Sequence, residues 1–188
     1  MEFIEEIKKL ENTYQHSEEF IITEGTSPII ITNIPKKDSN ELSEQYTRAI
    51  ARFVAANTNS TYLVKTKDRI AYSEEELKNE LTSLIEKNKV TLLINLSNTT
   101  EEADIVYEFP NITESNYSIL KELEDAFHEA GITNDKQIES KLDYKEPNID
   151  VINIGINEKC RDIDNPDKLN MICIALINYI KMYTNYTD

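Results

Sequence analysis

Short, nearly continuous apolar runs alternate along this chain with longer stretches whose apolar residues recur every three or four positions. The runs Pro28–Thr32, Val90–Leu96 and Ile149–Ile156 predict strands covered on both faces. Glu19–Thr23 and Thr61–Lys65 are shorter strand-like runs, and Ala103–Phe109 alternates weakly, as an additional strand near a sheet edge would. Residues 2–13 predict an amphipathic helix with Phe3, Ile4, Ile7 and Leu10 on one side and Glu and Lys on the other. A second helix is predicted from Asp38-Ser39-Asn40 to about Asn57, with Leu42, Tyr46, Ile50, Phe53 and Val54 inward. Ser73, with Glu76 three residues on, caps a third that reaches about Asn88. Ser115–Ala130 forms a fourth, with Gly131 as its C-cap. Asp164-Asn165-Pro166 opens a terminal helix carrying Leu169, Ile172, Cys173, Leu176 and Ile180 on one face. Residues 132–148 are polar, include Pro147 and predict a loop with room for one short strand.

Strands alternating with helices predict an α/β fold. The expected form is a single-domain three-layer sandwich, with a mostly parallel (mixed) sheet and helices on both faces. Neither a repeat nor a linker divides the chain, so residues 1–188 are expected to form one domain, with 1–17 an N-terminal helix and loop.

Composition narrows the functional classes. A net charge of −15 argues against a nucleic-acid backbone or an anionic membrane surface as partner. Glycines stand only at positions 25, 131 and 155, which removes the Walker A and dinucleotide fingerprints. Residues 1–20 carry neither a basic nor an apolar leader segment, and no run approaches the length of a membrane span. A cytoplasmic, reduced protein is therefore expected, with Cys160 and Cys173 as thiols, although their pairing stays open. The Asn-, Ile- and Lys-rich composition suggests an AT-rich bacterial genome.

Candidate chemistry lies at the strand ends, because ligands of open α/β sheets collect beyond the carboxyl ends of the strands. The three long runs end in Asn33-Ile34-Pro35-Lys36-Lys37, Asn95-Leu96-Ser97-Asn98 and Gly155-Ile156-Asn157. Lys36 and Lys37 with Asn33 could hold an anion, or could simply be a solvated loop. Asn95, Ser97 and Asn98 could hydrogen-bond a small ligand, or could be a hydrogen-bonded loop end. Asp162 and Asp164 could attract a cation but suit a cap or turn better. His128 lies one helical turn after Glu124 and Asp125, where a salt bridge is expected, and His16 lies in a loop.

The three tips together resemble the N-formylglutamate amidohydrolases, metal-dependent amidases related to the zinc carboxypeptidases. That family's first strand ends in Pro-His-Gly-Gly; here Pro35 matches and Lys36 stands at the histidine. Its second ends in Asp-Leu-His-Gly; here Asn95 replaces the Asp and Ser97 the His around Leu96. Its third reads roughly Leu-Glu-Ile-Asn followed by Arg-Asp; here Ile156-Asn157 and Arg161-Asp162 are kept, and Gly155 replaces the glutamate. The resemblance covers roughly residues 18–184 and implies a zinc site whose ligands are lost, hence no cofactor and no catalytic residue. It also implies that Arg161, beside Asn157, holds a ligand carboxylate; an ion pair with Asp162, Asp164 or another carboxylate is the alternative.

Three functions follow as expectations. The first is a catalytically degenerate amidohydrolase-like protein binding a protein partner or a small anionic ligand at the former cleft. The second is a structural or assembly protein, suggested by an acidic, tyrosine-rich surface. The third is an active hydrolase with a relocated site, using Asp104, Glu108, Asp162 or Asp164 with a hard metal.

Overall fold

The computed structural model of the chain describes residues 2–14, 21–34, 46–64, 74–109, 117–137, 149–164 and 166–187. Its strands are β1 (Ile21–Thr23), β2 (Ile29–Asn33), β3 (Thr61–Val64), β4 (Leu92–Thr99), β5 (Ile105–Glu108), β6 (Asn134–Gln137) and β7 (Asp150–Asn157). Its helices are α1 (Glu2–Tyr14), α2 (Thr47–Thr58), α3 (Glu74–Asn88), α4 (Tyr117–Glu129) and α5 (Asp167–Thr187). The strands form one sheet in the order β1-β3-β2-β4-β7-β5-β6. Its centre, β3-β2-β4-β7, is parallel. β1 lies antiparallel at one edge, and β5 runs antiparallel to β7 with β6 parallel beside it. This is the mixed, mostly parallel α/β sandwich that the alternation of elements predicts.

The central strands are apolar at successive positions, so both faces have to be covered. On one face Ile29, Ile31, Ile94, Leu96, Ile152 and Ile154 pack under α1, α2, α4 and α5, through residues such as Ile7, Ile50, Val54, Phe127, Leu169 and Leu176. On the other, Ile30, Leu63, Leu93 and Val151 meet Leu77, Leu81, Leu84 and Ile85 of α3. Each fully buried aliphatic side chain among these contributes roughly 2 kcal/mol.

A right-handed crossover puts α2 and α3 on opposite faces, because β3 lies to one side of β2 and β4 to the other. The reversal makes the β2/β4 tip the switch point of the sheet, where an α/β fold opens a crevice. The expected C-cap is present: Gly131 has φ +70°, and its N–H donates to the His128 carbonyl at 3.0 Å. One boundary differs from the pattern: β4 continues through Ser97-Asn98-Thr99, because β7 is long enough to pair with all three. The polar stretch after α4 holds the one short strand expected there, β6, which pairs with β5. Predicted residues 38–45 of the second helix, and residues 15–17, lie outside the described residues.

Candidate functional site

At the switch point the polar tips hold each other. Ile34 N–H donates to Asn95 Oδ1 at 2.7 Å, and Asn95 Nδ2 donates back to the Ile34 carbonyl at 3.5 Å. Asn95 thus extends the β2–β4 ladder with its side chain. Asn33 crosses the same boundary, donating from Nδ2 to the Leu96 carbonyl at 2.7 Å. Both asparagines are at most 1% exposed. Both amides thereby tie the end of β2 to β4. Lys36 and Lys37 lie outside the described residues.

Strand alternation then separates the remaining candidates. Asn33 and the half-buried Asn98 share the face of α2, whereas Asn95, Ser97 and Gly155 share the face of α3. On that second face Thr32, Asn95, Asn153 and Glu108 are register neighbours across β2, β4, β7 and β5, and all four are buried. This polar row was not singled out in the sequence. Its signal was a polar residue at alternate positions of otherwise apolar runs.

Directly beyond that row, Ser97 and Gly155 are partners in the parallel β4–β7 ladder. The two positions where the resemblance sets a metal-binding histidine and a glutamate therefore lie side by side. They carry a hydroxyl and a hydrogen atom, neither of which suits zinc. The space beside Gly155 is also taken. A Cβ built there would stand 2.9 Å from Thr99 Cβ, 3.5 Å from Thr99 Cγ2 and 3.5 Å from the Asn98 carbonyl oxygen. Any larger side chain at 155 would have to push Thr99 aside.

Asn157 ends β7 and caps the 3₁₀ turn Glu158–Cys160: its Oδ1 accepts from Lys159 N–H at 3.0 Å. Its Nδ2 donates to the Glu101 carbonyl, so this side chain too is used locally. Arg161 follows the turn, is 4% exposed and lies near Glu11 of α1, itself 5% exposed. Arg48 of α2 completes the group, with Nη2 3.5 Å from Glu11 Oε1. A carboxylate on which the Arg161 charge acts is thus one from the far end of the sequence. Glu11 lies four residues after Ile7 on the buried side of α1, so the acidic residues of that helix are not all on its outer face. Burial raises the Glu11 pKa, against the lowering effect of Arg48, the Tyr46 backbone N–H and Arg161.

A second buried carboxylate lies at the same end of the sheet. Asp104, 1% exposed, accepts from Lys168 Nζ at 2.6 Å, Cys160 Sγ at 3.3 Å and Thr133 N–H at 3.1 Å, with Lys159 Nζ at 3.4 Å. Burial opposes its ionisation, but the Lys168, Thr133 and Cys160 hydrogen bonds prevail and hold the carboxyl well below the usual range. The Cys160 thiol is pushed up to about 12 by burial and by the Asp104 carboxylate it faces. Such a thiol is a hydrogen-bond donor, not a nucleophile. Cys173 is likewise buried and free.

The other carboxylates do not converge. Asp104 and Glu108 lie at opposite ends of β5, while Asp164 N–H donates to Asp162 Oδ1 in an exposed turn. Among the described residues no three His, Cys, Asp or Glu side chains are grouped to hold a metal. No ion pair joins the exposed His128 to Glu124, which accepts from the Tyr107 hydroxyl at 2.8 Å instead; His16 is outside the described residues. Tyr62, Tyr107, Tyr179 and Tyr183 are buried, so the tyrosines are not simply a surface feature. No helix among the described residues is long and apolar enough to cross a membrane.

No protein-family model matches the chain, and no curated protein matches it. Solved structures do. The chain is similar to N-formylglutamate amidohydrolase from Ralstonia eutropha JMP134, with a TM-score of 0.60 and 11% identity over 92% of this chain and 100% of that one. It is similar to a bacteriophage poly-gamma-glutamate hydrolase (TM-score 0.57, 11% identity, 96% and 97% covered). The CwlD amidase from Clostridioides difficile, solved in complex with the GerS lipoprotein, gives a TM-score of 0.53 at 16% identity, with 84% and 98% covered. The likeness is one of fold: the chain has the architecture of an N-formylglutamate amidohydrolase and of related amidases.

Proposed function

We propose that this chain is a catalytically degenerate member of the amidase-like fold, which binds a small carboxylate-bearing ligand at the strand-tip edge and hydrolyses nothing there. The observation that carries this reading is the pair Ser97–Gly155, with Thr99 in the space that a side chain at 155 would need. Metal-assisted amide hydrolysis requires ligands around an open coordination position and a base for the attacking water. A hydroxyl, a glycine and a threonine methyl supply none of these. Zinc is accordingly no part of the proposal, and no residue is given a catalytic role.

The anionic character of the ligand rests on the buried Arg161, whose charge acts on the same Glu11 carboxylate as that of Arg48. A planar donor fork held out of water is well matched to a carboxylate. The relatives in the comparison act, by their names, on formylglutamate and on poly-gamma-glutamate, both of which carry carboxylates. The test is an assay of the purified chain with N-formylglutamate and with poly-gamma-glutamate, before and after zinc addition. The expected outcome is no turnover above the buffer rate. Amide hydrolysis that a chelator abolishes and zinc restores would refute the reading.

A further inference from the structure

The helices on one side of the sheet lie in the order α1, α2, α5, α4: α2 packs against α1 and α5, and α5 meets α4. The buried side of α5, with Leu169, Ile172, Leu176 and Ile180, seats it in the core. Its outward side is apolar as well. Met171 is 44% exposed, Ile174 57% and Met182 40%. Among the described residues one other large apolar side chain is exposed, Ile22 of β1. Such residues scattered singly are ordinary, but these three fall within about 80° of one another around the helix and span about 17 Å along it. They form a stripe.

The charge of these two central helices is as unusual. α2 contains no Asp or Glu, and α5 contains only Asp167, in a chain with 35 acidic residues. Arg48 and Lys168 are engaged by Glu11 and Asp104. The half-buried Arg52 of α2 and the exposed Lys181 of α5 have no ion-pair partner among the described residues. Acidic side chains resume on α4, where Asp125 and Glu129 are exposed. The net charge of −15 repels an anionic partner from afar, but at physiological ionic strength charges are largely screened beyond about 8 Å. Close to this face the local cations decide.

We propose that α2 and α5 form a docking face for an amphipathic helix of a partner protein, whose apolar stripe is flanked by carboxylates. Area selects a helix over a second copy of the chain. The three side chains offer on the order of 300 Å² of apolar surface, whereas a stable dimer buries about 800 Å² on each partner. A stripe about 17 Å long matches three turns of one helix, which anchors through side chains at spacings of three and four. Charge points the same way. Two copies meeting face to face on a two-fold axis would set Arg52 and Lys181 against themselves, whereas carboxylates beside the partner's apolar stripe would pair with both.

Fluorescence anisotropy tests this with the full chain and two labelled peptides of about 18 residues, long enough for the stripe, at about 0.15 M salt. Both carry Leu at helical spacing; the flanking positions are Glu in one and Gln in the other. The Glu peptide is expected to bind at least about threefold tighter, although the bulk charge of the chain favours the reverse. Ile174→Gln removes the most exposed part of the stripe and is expected to weaken the Glu peptide at least about tenfold. Met171→Gln repeats that test should the first variant not fold. Arg52→Gln combined with Lys181→Gln is expected to erase the preference for Glu over Gln. Failure of both peptides to bind, or binding that Ile174→Gln leaves unchanged, would overturn the docking face. Equal or tighter binding of the Gln peptide would overturn its acidic partner. Sedimentation of the chain alone is expected to show a monomer, and a dimer that Ile174→Gln dissociates would overturn the helix in favour of a second copy.

Discussion

Asp104 and Glu11 are two buried carboxylates at the same end of one sheet, and they are held in opposite ways. Asp104 accepts from Lys168, Thr133 and Cys160, and its pKa is driven down. Glu11 faces two arginines, yet one of its oxygens has no partner among the described residues, and its pKa is driven up. Proximity to positive charge is therefore not what decides whether a buried carboxylate is stabilised. What decides is whether hydrogen bonds replace the water it has lost. Asp104 is a latch tying the start of β5 to α5, to the strand-end turn and to the residue before β6.

The comparison predicts its own breaking points. Asp104→Asn is expected to cost most, about 3 kcal/mol, because it leaves the donors of Lys168, Cys160 and Thr133 mismatched in a buried place; urea denaturation of both chains measures it. The cost should also depend on pH. A carboxyl whose folded pKa is depressed adds stability that is fully present above its unfolded value of about 3.9, and that disappears as the pH falls towards the folded value. The stability gap between the unaltered chain and Asp104→Asn should accordingly begin to narrow below about pH 5 and go on narrowing to below about pH 3. A constant gap would show that Asp104 acts by shape and not by charge.

Gly155→Ala comes next, at about 2 kcal/mol, since the new methyl group meets Thr99 at overpacking distance. Thr99→Ala in the same chain should recover most of the loss, and non-recovery would mean that Thr99 is not what fills the slot. Glu11→Gln is expected to change stability least, by under about 1 kcal/mol at neutral pH. Its ionised form is already disfavoured in the fold: the raised pKa makes the charge a penalty above the folded value, and the penalty lifts as the pH falls. A loss as large as that of Asp104→Asn would make the two carboxylates equivalent and end the comparison.

Much of the fold was legible in the sequence, because strand and helix announce themselves in one chain segment at a time. The three apolar runs become β2, β4 and β7, and Gly131 closes α4 as its missing side chain allows. The neighbourhood of Ser97 and Gly155 was suggested only by the resemblance; the β4–β7 register makes it a geometric fact. What was not legible is who meets whom across long separations. Asn95 reads as a loop-end amide until β2 is set beside it, and nothing in the sequence links Arg161 to Glu11 until α1 is folded over α2. Glu11 looked like one more surface charge, although its spacing from Ile4 and Ile7 places it on the buried side. A polar residue in register with a helix's apolar positions, or alternating within a buried strand as Thr32, Asn95 and Asn153 do, is the sequence signal that such partners leave.

The central claim is that the strand-tip edge keeps an amidase architecture without its metal chemistry, and the zinc content of the purified chain tests it most directly. Elemental analysis after equilibration with excess zinc and exhaustive dialysis is predicted to give far less than one zinc per chain, and the same for the chain carrying Ser97→Ala. One zinc per chain, lost on Ser97→Ala, would contradict it.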